Sequence, residues 1–137
     1  MIYTRVNELR EMQLVDHMNA ASRWLSDYRF PFNRAEEVDP DREILHGNGS
    51  IQVLWGPNSF DQFLKTIRFR IELVIKNDRY QYRLDQFVVS DGSKESQLEI
   101  YQSDTRLGSR YNPAFYKALD QKVDLMIRDL EVRMSQN

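Results

Sequence analysis

Between Ile67 and Val88 the chain holds two runs that pair sensibly in only one register. With Asn77-Asp78 as a two-residue turn, Ile75 opposes Tyr80, Leu73 opposes Tyr82 and Ile71 opposes Leu84, which makes one apolar face. The same register sets Glu72 against Arg83 and Arg70 against Asp85 on the other face, and such opposite-charge pairs contribute about 0.2–1 kcal/mol each. A slip of one residue would turn Ile71, Leu73 and Ile75 into water, because side chains alternate between the faces of a strand. This hairpin needs an apolar cover on its Tyr80 and Tyr82 side.

The sequence offers two helices for that role. Asn112-Pro113 supplies a cap and a proline at the first helical position. Phe115, Leu119, Val123, Ile127, Leu130 and Met134 then recur at helical spacing, Tyr116 and Met126 broaden the stripe, and Lys117, Asp120, Lys122, Asp124 and Arg128 take the opposite side. An earlier helix is expected from Asn7, as N-cap, to about Tyr28, on the stripe Leu14, Met18, Ala21, Leu25 and Tyr28. Leu9 and Val15 flank this stripe, Trp24 widens it, and Pro31 ends the helix.

The remaining segments read as strands and turns. Met1 to Val6 is a short strand or a lead-in, Ala35 to Val38 a short strand, and Asp39-Pro40-Asp41 a turn. Ile44 to Trp55 alternates through Ile51, Val53 and Trp55. Gly47 and Gly49 share that parity, leaving room for a packed helix or marking a bulge. Gly56 to Ser59 is a loop, and Phe60 to Thr66 extends the strand that follows it. Ser90 to Ser93 is turn-like, and Leu98, Ile100 and Tyr101 form an apolar island. The expected order is helix, four strands, helix. That is an α+β fold, an antiparallel sheet of about four or five strands with two helices on one face, in a single domain over residues 1–137.

Composition removes several functional classes. Hydrophobic residues at 41% and charged residues at 29% are ordinary for a globular chain. A net charge of −2 gives no electrostatic reason to expect nucleic acid. The absence of cysteine excludes disulfides, zinc-thiolate sites and thiol nucleophiles. No apolar run reaches the length of a membrane span, and no signal-peptide core is present at the N-terminus.

Three stretches, Trp24-Leu25, Asp41 to Gly49 and Phe69 to Leu84, resemble the bacterial domain-of-unknown-function family 4468, described as TBP-like in fold. Its members combine a tryptophan late in the first helix, a strand with spaced glycines, and a strand-turn-strand of the form V-K-D-G-R-Y-R-Y. The likeness covers about Asn19 to Val88. Asn77-Asp78 stands where the family prefers Asp-Gly, which raises the cost of positive φ and keeps the turn length. The resemblance implies a curved antiparallel sheet with helices on one side, in proteins exported or lipid-anchored in Bacteroides-type bacteria. An exported (periplasmic or cell-surface) product would have lost its leader from this chain. No activity, cofactor or site residue follows from it.

Candidate sites are few. The two histidines, His17 and His46, fall in different elements, so a metal site would need them to converge with Asp16, Asp41 or Glu43, and surface or strand-edge positions are the simpler expectation. Gly47-x-Gly49 lacks the third glycine and the helix of a phosphate loop, and no nucleophile elbow is present. Glu36-Glu37 point to opposite faces, and Asp39 and Asp41 belong to a solvated turn. Arg68, Arg70, Arg79 and Arg83, with Lys65 and Lys76, make the outer hairpin face basic, and Tyr3 is a ring that a base could stack on.

Two aromatic groups define the specific expectations. Trp55, Phe60 and Phe63 flank a loop and, if exposed, form an interaction patch; the simpler alternative is that they close one end of the core. Tyr80, Tyr82, Trp55 and Phe115 would line a cavity between helix and sheet, with Gly47 and Gly49 leaving empty volume. The reading is a non-catalytic binding or interaction domain with a protein or small-molecule partner, without cofactor, metal or nucleic acid. Its alternatives are a small apolar-ligand-binding domain with that cavity, and an enzyme without a recognisable motif. Oligomeric state is open, since charges scattered along the strands would oppose pairing at a free edge.

Overall fold

On the strand Phe63–Lys76 every odd residue from Lys65 to Ile75 is buried, while the even residues from Leu64 to Lys76 are half-buried or exposed. That period-two pattern is a sheet with one covered face. The computed structural model describes residues 2–9, 13–35, 41–55, 63–91, 94–97 and 112–135. They form β1 (Tyr3–Glu8), α1 (Leu14–Asp27), β2 (Phe32–Arg34), β3 (Arg42–Trp55), β4 (Phe63–Lys76), β5 (Arg79–Asp91), β6 (Lys94–Gln97) and α2 (Asn112–Ser135). The strand order is β1-β5-β4-β3-β2, and β6 pairs with β5 as well. β1 runs along the first half of the β5 edge, against residues 79–84, and β6 along the second, against 88–91. All pairings among the described residues are antiparallel.

The hairpin has the expected register: Ile75 opposes Tyr80, Leu73 opposes Tyr82, Ile71 opposes Leu84, Glu72 opposes Arg83 and Arg70 opposes Asp85. Beyond Arg70 it departs from simple alternation. Arg68 pairs with Val88, so two residues of β5, Gln86 and Phe87, face one residue of β4. Gln86 takes a left-handed φ of 55°. This β-bulge moves the buried positions of β5 from Tyr80, Tyr82 and Leu84 to Phe87 and Val89. Without it Phe87 would point into water. Instead it stacks on Phe69 at 5.3 Å, and Phe69 meets Phe30 edge-on at 5.8 Å.

The turn differs from expectation in its backbone. Neither Asn77 nor Asp78 has a positive φ; among the described non-glycine residues only Arg29 and Gln86 do. Outside contacts hold the reversal in place of a primed turn. The Leu9 N–H donates to the Asp78 carbonyl at 2.6 Å, and His17 Nε2 lies 2.9 Å from the Asn77 carbonyl oxygen.

The first helix begins at Leu14, after Gln13, and not at Asn7. Asn7 belongs to β1, where it opposes Tyr80 and its Nδ2 donates to the Tyr80 hydroxyl at 3.1 Å. Pairing with β5 thus overrides the local capping preference. At its other end α1 stops before Pro31. Arg29 at φ 59° sits one residue past the cap, its N–H donates to Ser26 O at 3.0 Å, and Phe30 N–H donates to Leu25 O at 2.9 Å. These are the two bonds of a Schellman motif, with arginine where glycine is usual.

A short strand lies at Phe32–Arg34, and of the one expected at Ala35 to Val38 only Ala35 is among the described residues, where it follows β2. Residues 36–40 are outside the described residues, as are the Leu98, Ile100 and Tyr101 island and the loop from Gly56 to Ser59.

Both described helices cover the same sheet face. Met18, Ala21, Trp24 and Leu25 of α1 and Phe115, Leu119, Val123, Met126, Leu130 and Met134 of α2 share one core with the inward side chains of the sheet. Val15, expected to flank the stripe, is 55% exposed. Trp24 joins the two helices, its Nε1–H donating to the Met126 carbonyl at 3.1 Å.

Candidate functional site

Both described helices sit on one face of the sheet, and no described helix covers the other. Strand parity places Arg42, Arg68, Arg70, Lys76, Arg79 and Arg83 there, with Glu8, Glu72 and Asp85 as the carboxylates on the same face. Over β1, β3, β4 and β5 that is six cations against three anions, a local excess of positive charge on a chain whose net charge is −2. Lys65, expected on this face, points the other way and is buried among the core residues. Tyr3, considered as a stacking platform, also faces inward; it packs on Phe87 at 5.6 Å, and its hydroxyl donates to Asp120 on α2.

The middle of the face is neutralised. Asp85, with only 9% of its side chain exposed, accepts two hydrogen bonds from Arg70 and one from Arg83, each 2.9 Å. The Arg70 bonds, aided by Arg83, hold its carboxyl below the usual carboxylate range against the opposing effect of burial. Beside this cluster the bulge opens a hollow of about 330 Å³ bounded by Asn48, Arg68, Arg70, Gln86 and Val88.

The end nearest the hairpin turn differs in charge balance. Arg42 and Lys76 are direct cross-strand partners, and Arg79 follows Lys76 across the turn. The three line a hollow of about 250 Å³ together with Val6, Val74, Tyr80 and Gln81, and among the described residues no carboxylate belongs to that lining. Asp78 reaches Arg79 at 3.9 Å, and Glu8 of β1 is the direct cross-strand partner of Arg79 on the same face. Like charges directly opposite one another weaken a sheet.

Of the residues expected to line an internal cavity, the side chain of Trp55 lies outside what the structure describes. Phe115, Tyr80 and Tyr82 are buried in the packed core, and no hollow described here is lined by all three. Tyr80 reaches an open groove of about 430 Å³ between the end of β1 and the last turns of α2. Burial pushes its phenol up to about 12. The two glycines create no empty volume. A Cβ on Gly47 would lie 2.2 Å from Pro31 O, and one on Gly49 would lie 2.5 Å from two ring carbons of Phe69. Close approach of backbone and ring is their role.

Of the proposed aromatic patch, Trp55 and Phe63 are cross-strand partners at the end of the β3–β4 ladder, and Phe60 lies outside the described residues. Glu36, Glu37 and Asp39 also lie outside them. His17 corrects the surface expectation, being fully buried, with its Nδ1 lacking a hydrogen-bond partner among the described residues. His46 is exposed on the outer face. The described residues contain no group of three or more His, Asp or Glu placed to hold a metal, and no described helix is long and apolar enough to cross a membrane.

Sequence comparison finds no matching family model and no matching curated protein. Comparison of structures does find relatives. A DUF4468 family protein from Bacteroides ovatus is similar with a TM-score of 0.72 at 10% identity, over 97% of this chain and 85% of that one. A TBP-like protein from Parabacteroides distasonis is similar with a TM-score of 0.67 at 15% identity, over 99% and 92%. At such identities the likeness is one of architecture. The α+β arrangement expected from the family resemblance is the one this chain adopts, a TBP-like antiparallel sheet with two helices packed on one side.

Proposed function

We propose that this chain is a non-catalytic binding domain of the bacterial cell envelope, and that the sheet face opposite its described helices receives a protein partner presenting carboxylates. The observation that carries this reading is the hollow that Arg42, Lys76 and Arg79 line together, with no carboxylate among its described lining residues. A carboxylate bound there would accept charge-assisted hydrogen bonds from these cations. The composition of the face supports the same reading. Five of its six cations are arginines, the cation enriched at protein interfaces, whereas lysine is depleted there. The envelope assignment rests on the family resemblance alone. A non-catalytic role is favoured because the ion pairs around Asp85 and Glu43 join residues of the sheet to one another.

Titration with a hexaglutamate peptide, followed by backbone amide shifts, tests this. Shifts should concentrate at Arg42, Lys76, Arg79 and Gln81, weaken steeply with added salt, and fall at least tenfold in affinity in Arg42→Ala/Lys76→Ala. Shifts spread evenly over the molecule, or unchanged by the double substitution, would reject the site.

A further inference from the structure

We infer that His17 is a positioning residue for the hollow lined by Arg42, Lys76 and Arg79: it grips the central peptide of the hairpin turn and so fixes where the two cations that flank that turn point. The inference rests on the reading of that hollow as the partner site. His17 is fully buried on α1, and its Nε2 lies 2.9 Å from the carbonyl oxygen of Asn77, 60 positions further along the chain. A carbonyl only accepts, so Nε2 carries the ring proton and donates it.

Asn77 and Asp78 join β4 to β5, and the peptide between them is the one whose rotation separates one turn type from another. Two-residue hairpin turns normally settle that orientation locally, through positive φ at one or both central residues. Neither Asn77 nor Asp78 has a positive φ. On the Asp78 side the sheet itself holds the backbone, because the Leu9 N–H to Asp78 O bond at 2.6 Å continues the β1–β5 ladder past Glu8 and Arg79. On the Asn77 side the carbonyl is held by His17. Lys76 and Arg79 stand immediately before and after the two turn residues, and both line the hollow. Rotation of the central peptide would therefore shift both head groups relative to Arg42, which faces Lys76 from β3.

What histidine adds at this place is the donor. Its Nδ1 has no hydrogen-bond partner among the described residues, and an unpaired buried nitrogen carries a cost. An apolar side chain would fill the same volume without that cost. Asn77, by contrast, is exposed, so its carbonyl, once released, can turn to water. Removing the donor should relax the turn and leave the core nearly as stable. A side chain present only for packing would show the reverse, a loss of stability with the turn unchanged.

Hexaglutamate titration of three proteins tests this: the wild type, His17→Phe, which keeps a planar ring and lacks the donor, and His17→Gln, whose side-chain amide donates from the same distance along the chain. Affinity should fall about three- to tenfold in His17→Phe, the factor that one hydrogen bond supports, and return to within about twofold of wild type in His17→Gln. Val123→Ala, in the core of α2 and outside the hollow, should lose more stability in urea than His17→Phe and still bind hexaglutamate like the wild type. The free wild-type protein supplies a reading that needs no variant. Nitrogen-15 spectra of its histidines should place the His17 proton on Nε2, with a slowly exchanging ring N–H that shows NOEs to Asn77 and Asp78. A His17 proton on Nδ1, equal affinity in wild type and His17→Phe, or an equal loss in the Phe and Gln variants would each overturn the inference. A wild type that ignores hexaglutamate would reject the acidic-partner site itself, and the role of His17 there with it.

Discussion

Gly49→Ala tests whether glycine in β3 is required by packing. The added Cβ would lie 2.5 Å from Cε2 and Cζ of Phe69 and 3.1 Å from Cδ1 of Ile71. The ring cannot retreat easily, because it is buried, stacked on Phe87 at 5.3 Å and met edge-on by Phe30 at 5.8 Å. Forcing an extra carbon into a packed core costs about 1–3 kcal/mol. Removing a strand glycine gives back about 0.5–1 kcal/mol of backbone entropy, so the net loss should be about 1–2 kcal/mol. In a Phe69→Leu background the obstructing ring atoms are gone, and the same methyl should be neutral or stabilising by about 1 kcal/mol through burial. The double-mutant cycle should therefore show a coupling of about 2 kcal/mol, well above the 0.3–0.5 kcal/mol at which distant sites add. Urea unfolding with an unchanged m-value measures it. Gly47→Ala is the control, since its Cβ would meet Pro31 O at 2.2 Å and Phe32 Cα at 3.0 Å, both backbone atoms that Phe69→Leu does not move. Coupling between positions 49 and 69 below about 0.5 kcal/mol would refute the reasoning.

Two further outcomes follow from the same geometry. Arg29→Gly should stabilise the chain by about 0.5–1 kcal/mol in thermal or urea unfolding, because φ is 59° at an exposed position where an L-residue is penalised and glycine is not; a loss of stability would show that the arginine side chain holds the helix end. Asp85 and Glu43 are both held below their usual carboxyl range, chiefly by hydrogen bonds from Arg70 and Arg34 respectively. Their contribution is complete above the unfolded values near about 4 and is lost as pH falls through the lower folded values. Asp85→Asn should cost about 1–3 kcal/mol at pH 7 and flatten the decline of stability below pH about 4; an unchanged acid limb would count against the Arg70–Asp85–Arg83 cluster as its source.

Much of the fold was legible because its determinants are short-ranged. The α2 stripe from Phe115 to Met134 repeats every three or four residues, and the 71–75 against 80–84 register is enforced by alternation on both sides of one turn. The start of α1 was misread because Asn7 has a good local capping side chain, and only its pairing with Tyr80 assigns it to a strand. The bulge at Gln86 was also missed, although its signal was present: Leu84 and Phe87 are three apart, and so cannot share a face of a regular strand. Of the candidate site, Lys76 and Arg79 follow from the hairpin itself. Arg42 joins them only through the β3–β4 register.

The amino-acid sequence by itself determined the hairpin register, the apolar faces of both helices and the α+β class, since each depends on neighbours two to four positions away along the chain or directly across one turn. Tertiary structure decided the rest. It set the geometry of a turn held by His17 and Leu9, the burial of that histidine, and the glycines pressed against Pro31 and Phe69. Those features join residues far apart in the chain, and no local period encodes which distant group arrives to fill a space.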